Sequence, residues 1–272
     1  MAILIHILSY KLRSFLKMQF DLTPGRIAKN VASASVFGGF AVGAFYFSRE
    51  ITGYVIGQAH LGIFLLHRFL SMTLYVFFLS INIGNIIVSY ASLYRSKETT
   101  YFLTKPVPYT TLFGIKFLDT FFYSSTTLFL IAIATLAGYG SYFNLPWTFY
   151  GWALFYLFIP FMLLSASVGV IALMVLMKIA KKIGIRFLVV IITGGYISTI
   201  WLYFKLTNPM KLVGSVMKYY PFLDRNFEFL DPPVSKWFPS HWVAEALYWN
   251  LRGYSWLAWS YTFELLWVSL VM

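Results

Sequence analysis

The sequence has no cysteine. That excludes disulfides, thiolate metal sites and a cysteine nucleophile, while leaving the redox compartment open. Charge is scarce as well: 11% of the 272 residues are charged, and nine are acidic. A soluble domain carries about 25% charged residues, so a water-exposed fold of this length is excluded. The four histidines, His6, His60, His67 and His241, are scattered and form no metal-ligand spacing such as HExxH. No GxSxG, no paired carboxylates and no phosphate loop of the form GxxxxGK[ST] occur, so nothing marks the chain as an enzyme.

In place of charge there is apolar length. Hydrophobic residues make up 60% of the chain, and apolar runs of about 20 residues recur, enough for a helix to cross roughly 30 Å of hydrocarbon. The runs are continuous and do not alternate, so nothing suggests a barrel. The reading is an all-α integral membrane protein, a single transmembrane domain over residues 1–272. A net charge of +12 would raise nucleic acid as a partner in a soluble protein. Here the cations border apolar spans, so topology and anionic lipid account for them and nucleic acid is not expected.

Residues 3–20 place Ile3, Leu4, Ile7, Leu8, Leu12, Phe15, Leu16 and Phe20 on one helical stripe opposite His6, Tyr10, Arg13 and Lys17. That pattern predicts an amphipathic interfacial helix, and its interleaved basic residues are unlike those of a cleaved signal peptide. Six spans are predicted to follow, at about 31–47, 63–90, 117–138, 148–177, 187–204 and 254–272. In the first, Ser35, Gly39 and Gly43 recur every four residues, a small-residue face for close helix packing within one subunit or between two. The second is long enough for Arg68 to sit near one end and snorkel. It also carries Asn82 and Asn85, which either line a pathway or pack helices through hydrogen bonds. Lys116 is expected to pair with Asp119 at the start of the third. Pro160 should kink the fourth.

Between the fifth and sixth spans lies a long outer segment, rich in aromatics and prolines. Short helices in or near the interface are expected there, anchored by Trp237, Trp242 and Trp249. Glu264 lies inside the sixth apolar run, where an acid is a candidate for a coupling role. Because the last run is uncapped at Met272, the sequence reads as the first half of a longer protein.

Orientation follows from the cations. With the N-terminus in the cytoplasm, thirteen fall inside: Lys11, Arg13, Lys17, Arg26, Lys29, Arg95, Lys97, Lys105, Lys116, Lys178, Lys181, Lys182 and Arg186. Eight fall outside: Arg49, Arg68, Lys205, Lys211, Lys218, Arg225, Lys236 and Arg252. The dense clusters are all on the inner side, which favours this orientation. The polar stretch from Tyr94 to Lys116 then faces the cytoplasm.

That stretch reads YRSKETTYFLTKPVPYTTLFGIK. It resembles the segment between the second and third helices of permease subunits of ATP-binding-cassette transporters of the type 2 exporter class. Members show an acidic residue, a Leu-rich turn, a Leu-Pro-Val-like corner and a Lys shortly before the next helix. Glu98, Leu103, Pro106-Val107 and Lys116 take those places, while Lys105 stands where an aliphatic or small residue is commoner. The order of elements, with a basic amphipathic helix, six spans and a long outer segment, is similar over essentially the whole chain.

The resemblance implies an ATP-driven exporter working by alternating access in a prokaryotic plasma (inner) membrane. It also implies a separate ATPase subunit that carries the ATP and magnesium, with no cofactor on this chain. A second permease copy or the missing C-terminal half would complete the pathway. Arg95, Lys97, Glu98, Lys105, Pro106, Pro108 and Lys116 would form the ATPase-docking face, with the two prolines fixing the corner. The rival readings are a membrane scaffold or assembly protein that binds a cytoplasmic partner without transport, and a secondary transporter. The substrate is not legible.

Overall fold

A computed structural model describes residues 24–58, 62–104, 108–217 and 234–272. The amphipathic helix expected at residues 3–20, together with Lys105 and Pro106, lies outside them. Among the described residues the chain is almost entirely helical and holds no strand. The helices are α1 (Pro24–Gly53), α2 (Gly62–Ser89), α3 (Lys97–Leu103), α4 (Tyr109–Tyr142), α5 (Trp147–Trp152), α6 (Ile159–Ile183), α7 (Ile185–Thr207), α8 (Pro209–Met217), α9 (Pro239–Leu251) and α10 (Ser255–Val271). Among the described residues, four continuous helical stretches are long and apolar enough to cross a membrane: Asn30–Gln58, Gly62–Tyr94, Tyr109–Tyr142 and Trp147–Ala180. They coincide with the first four predicted spans. Helices α7 and α10 cover the other two apolar runs.

The second stretch is central because it is buried along its length, with Phe64, Leu65, Met72, Leu74, Tyr75, Phe78 and Ile81 all inside. It packs against α4, α6 and α9. Phe78 meets Phe161 of α6 at 5.5 Å between ring centroids, and Tyr75 stacks on Tyr203 of α7 at 3.8 Å. In hydrocarbon such contacts work through packing and interhelical hydrogen bonds, since lipid tails are as apolar as the side chains.

The kink expected at Pro160 takes a specific form. Ala153–Phe158, which ends two positions before it, is wound as a π-helix between α5 and α6. Proline has no N–H to donate and its ring crowds the carbonyl four residues back, so the wider turn absorbs the mismatch.

Helix α1 is almost entirely exposed and packs against α4 near its C-terminal end. There Ser48 Oγ donates to the Thr135 carbonyl at 2.8 Å. Gly138 lies so close that a Cβ would strike the Phe45 carbonyl oxygen and come within 3.0 Å of Ser48 Cβ. Ser35, Gly39 and Gly43 are exposed, and a Cβ on Gly39 or Gly43 would meet nothing. The small-residue face predicted for helix packing is therefore uncovered within this chain, and the close approach is made lower on α1 by Gly138 of α4.

The segment after α7 also differs from expectation. Helix α9 is not a surface helix; it is buried against α2 and α10, with Val243, Ala244, Ala246, Leu247 and Tyr248 all at 2% exposure or less. Of the three proposed anchors only Trp237 is strongly exposed. Trp242 donates to the Lys236 carbonyl and Trp249 to Glu245, both at 2.9 Å.

Candidate functional site: a tied polar corner and a buried ion pair

The polar stretch folds as a short structure of its own. After α2, Tyr90–Tyr94 make a π turn, and Tyr90 and Tyr94 stack at 6.0 Å with the Arg95 guanidinium 6.0 Å from the Tyr90 ring. Thr99 Oγ1 then donates to the Ser92 carbonyl at 2.7 Å, drawing the start of α3 back onto that turn. Glu98, in the first turn of α3, accepts from Lys116 Nζ at 2.5 Å. Lys116 is 3% exposed and Glu98 45%, so the pair ties a buried cation to the edge of the corner.

This corrects the expectation that Lys116 pairs with Asp119. Helix α4 begins at Tyr109, two turns before the predicted span, which places Lys116 inside it. There α3 folds back to present Glu98. Arg95, Lys97 and Pro108 remain exposed.

The two asparagines of α2 are consumed by helix contacts. Asn82 Nδ2 donates to the Ser165 carbonyl at 3.0 Å, its Oδ1 accepts from the Tyr196 hydroxyl, and Ser165 Oγ donates to the Phe78 carbonyl at 2.6 Å. Asn85 Oδ1 accepts from Ser124 at 2.8 Å, while its Nδ2 donates to the Ile81 carbonyl at 2.9 Å. Gly169 lets α6 approach, since a Cβ there would lie 2.8 Å from the Asn82 carbonyl oxygen. Together the asparagines join α2 to α4, α6 and α7. Glu264 is exposed on α10.

Arg68 lies near the start of α2 but does not snorkel. It is buried, 2.7 Å from Glu245 Oε1 of α9 through Nη2, and Nη1 lies 3.1 Å from Nδ1 of His241. Its guanidinium carbon sits 4.8 Å from the Phe64 ring centroid. A guanidinium can only donate, so Nδ1 of His241 is an acceptor and the ring is neutral with its proton on Nε2. Burial first, then Arg68 and Lys236, hold His241 well below its ordinary value, at about 3. Immediately before Arg68 in the chain, His67 Nδ1 donates to the Ile63 carbonyl at 2.8 Å. Nε2 must then accept from the Tyr139 hydroxyl, also at 2.8 Å.

Sequence reasoning missed this cluster. A signal for it was present: Glu245 is an acid in an otherwise apolar helix, the same feature that drew attention to Glu264. Among the described residues no group of three or more His, Asp or Glu is placed to hold a metal ion.

These features define a helical protein built around membrane-length spans, with one tied polar corner and one buried ion pair. Over residues 31–272 the chain matches the family described as Putative ATP-binding cassette, and it belongs to that family. It is thus related to the ATP-binding-cassette transporters. No curated protein and no solved structure matches it.

Proposed function

We propose that the chain is the membrane-spanning permease component of an ATP-driven exporter, moving its substrate by alternating access with a partner ATPase. The observation that carries this reading is the corner at residues 94–116. A short helix that starts at exposed Lys97, two residues after exposed Arg95, is fastened by Glu98 to a buried lysine of a long apolar helix, so force applied to the helix passes directly into α4. In this reading α7 and α10 are the fifth and sixth spans, the N-terminus is cytoplasmic and the membrane is a plasma membrane. A second permease copy or a C-terminal half completes the pathway.

In this reading ATP hydrolysis falls to the partner subunit, in keeping with the lack of a GxxxxGK[ST] phosphate loop in this sequence. The roles within the corner also divide. Glu98 positions α3 through Lys116, whereas Arg95 and Lys97 are the groups available to an acidic docking surface. The test is co-expression with the ATP-binding-cassette subunit encoded nearest to it, followed by purification through a tag on the permease. Co-purification with substrate-stimulated ATP turnover supports the exporter. Co-purification without any such stimulation favours a scaffold, and no association ends the reading.

A further inference from the structure

A cavity of about 650 Å³ opens where the helical stretches Asn30–Gln58 and Tyr109–Tyr142 both end, at the far end of α4 from the polar corner. That volume falls within the roughly 300–1,000 Å³ usual for small-molecule sites. Phe47, Glu50, Tyr54 and Gln58 recur at three- and four-residue spacing, so one helical face lines the cavity, and Tyr142, the last residue of α4, stands on the other side. The two walls are fixed to each other. Ser48 Oγ donates to the Thr135 carbonyl, and Gly138, one turn before Tyr142, is in close contact with α1. Gly53 makes room for the Tyr142 ring, since a Cβ there would come within 3.2 Å of it. Residues Tyr54–Gln58 are wound as a π-helix, without the proline that accounts for the π turn at 153–158. Such turns are rare and gather at functional sites.

The cavity offers one carboxylate among three aromatic rings. In a chain of 21 cations and nine acids, Glu98 and Glu245 are each tied to a cation. The Glu50 carboxylate has no ion pair or hydrogen bond with any described residue, and its chain neighbour Arg49 does not line the cavity. A carboxylate here repels anions. A metal ion needs several ligating groups, and among the described residues no three His, Asp or Glu are placed to hold one. A neutral apolar ligand would make no use of Glu50 or the Gln58 amide. An organic cation uses the whole set: Glu50 supplies the counter-charge, and the faces of Phe47, Tyr54 and Tyr142 attract positive charge through their ring quadrupoles. Position adds a second requirement. Both lining helices are of membrane length and end here, so the cation sits toward water while an apolar body lies along Phe47 and Ile51.

We infer that this cavity binds an amphipathic organic ammonium ion, a quaternary or protonated amine carrying an apolar body. That chemistry is shared by free amines and by the choline-type headgroup of a lipid. The inference does not rest on the exporter reading, since neither the polar corner nor a partner ATPase enters it.

The test uses the full chain in a neutral detergent free of lipid, with benzyltrimethylammonium as the probe and calorimetry as the readout. The probe should bind saturably. Neopentylbenzene, which has the same shape with carbon in place of the charged nitrogen, should not displace it. Glu50→Gln should weaken binding roughly fivefold or more, and Glu50→Asp should weaken it less. Tyr142→Leu should weaken it roughly two- to fivefold, whereas Tyr142→Phe, which keeps the ring, should not. If Tyr142→Leu does not fold, Tyr54→Leu, at a position 58% exposed, reads the same contribution. Competition by phosphatidylcholine, but not by phosphatidylglycerol of the same chains, assigns the site to a lipid headgroup, and probe binding undisturbed by either assigns it to a free amine. Equal binding by Glu50→Gln and the parent would overturn the proposal. Displacement of the probe by neopentylbenzene at comparable concentration, or the absence of saturable binding, would do the same.

Discussion

Lys116 and Glu98 lie 18 positions apart in the chain and 2.5 Å apart in space, one inside a membrane-length helix and the other on the short helix before it. The lysine is the buried partner, so the two ends of the pair respond differently to mutation. Glu98→Gln strands an ammonium group at 3% exposure and should cost about 1–3 kcal/mol. Lys116→Met removes the buried charge along with the bond and should cost less. Thermal unfolding in detergent would give the ranking, and faster amide exchange confined to residues 97–103 in both variants would show that α3 has come loose. Equal costs for the two variants would mean that the buried charge is not what matters.

Arg95 and Lys97 should behave in the opposite way. Both are exposed and neither side chain is in an ion pair with a described residue at the corner, so reversing them to Glu leaves stability within about 0.5 kcal/mol. Capture of an acidic ATPase surface should fall at least tenfold and become less sensitive to salt. A pull-down at two ionic strengths measures both effects. Unchanged capture by the double reversal would remove these residues from the docking face.

Glycines that look alike in the sequence separate sharply in the fold. Gly138→Ala forces a Cβ against the Phe45 carbonyl and should cost about 1–3 kcal/mol. Gly43→Ala adds its methyl group to open space and should be neutral, or slightly stabilising through better helix propensity. If a second copy covers the Ser35, Gly39 and Gly43 face, Gly39→Leu should lower the oligomeric state while leaving the monomer's melting temperature intact. Light scattering of the purified protein distinguishes these outcomes.

What the sequence made legible was local. The four spans stand out because length and hydropathy are read within one window, and the disturbance before Pro160 follows from a single residue's missing N–H. The partner of Arg68 was not legible, because His241 lies 173 positions away and no periodicity links the two. The same holds for Asn82 and Tyr196, 114 positions apart. For Lys116 the local rule pointed to the neighbouring Asp119, and tertiary folding of α3 supplied a different acid. The aromatics and prolines of the segment between the fifth and sixth spans point to surface anchoring, whereas the small residues Ala244 and Ala246 let α9 pack inside the bundle.

His241 gives the chain a pH dependence whose sign can be worked out. Its folded value, about 3, lies below the ordinary 6.5, so the folded state favours the neutral ring that accepts from Arg68. The unfolded chain takes up a proton as pH falls through 6.5, while the folded one resists until about 3. The contribution is fully present above 6.5 and is lost on acidification, at about 1.4 kcal/mol for each pH unit below that point. His241→Asn keeps an acceptor oxygen for Arg68 and removes the titration. The melting temperature of the parent should therefore drop more than that of His241→Asn between pH 7.5 and pH 5. If the two proteins lose stability in parallel, the acid sensitivity resides elsewhere and the neutral ring is not what Arg68 requires.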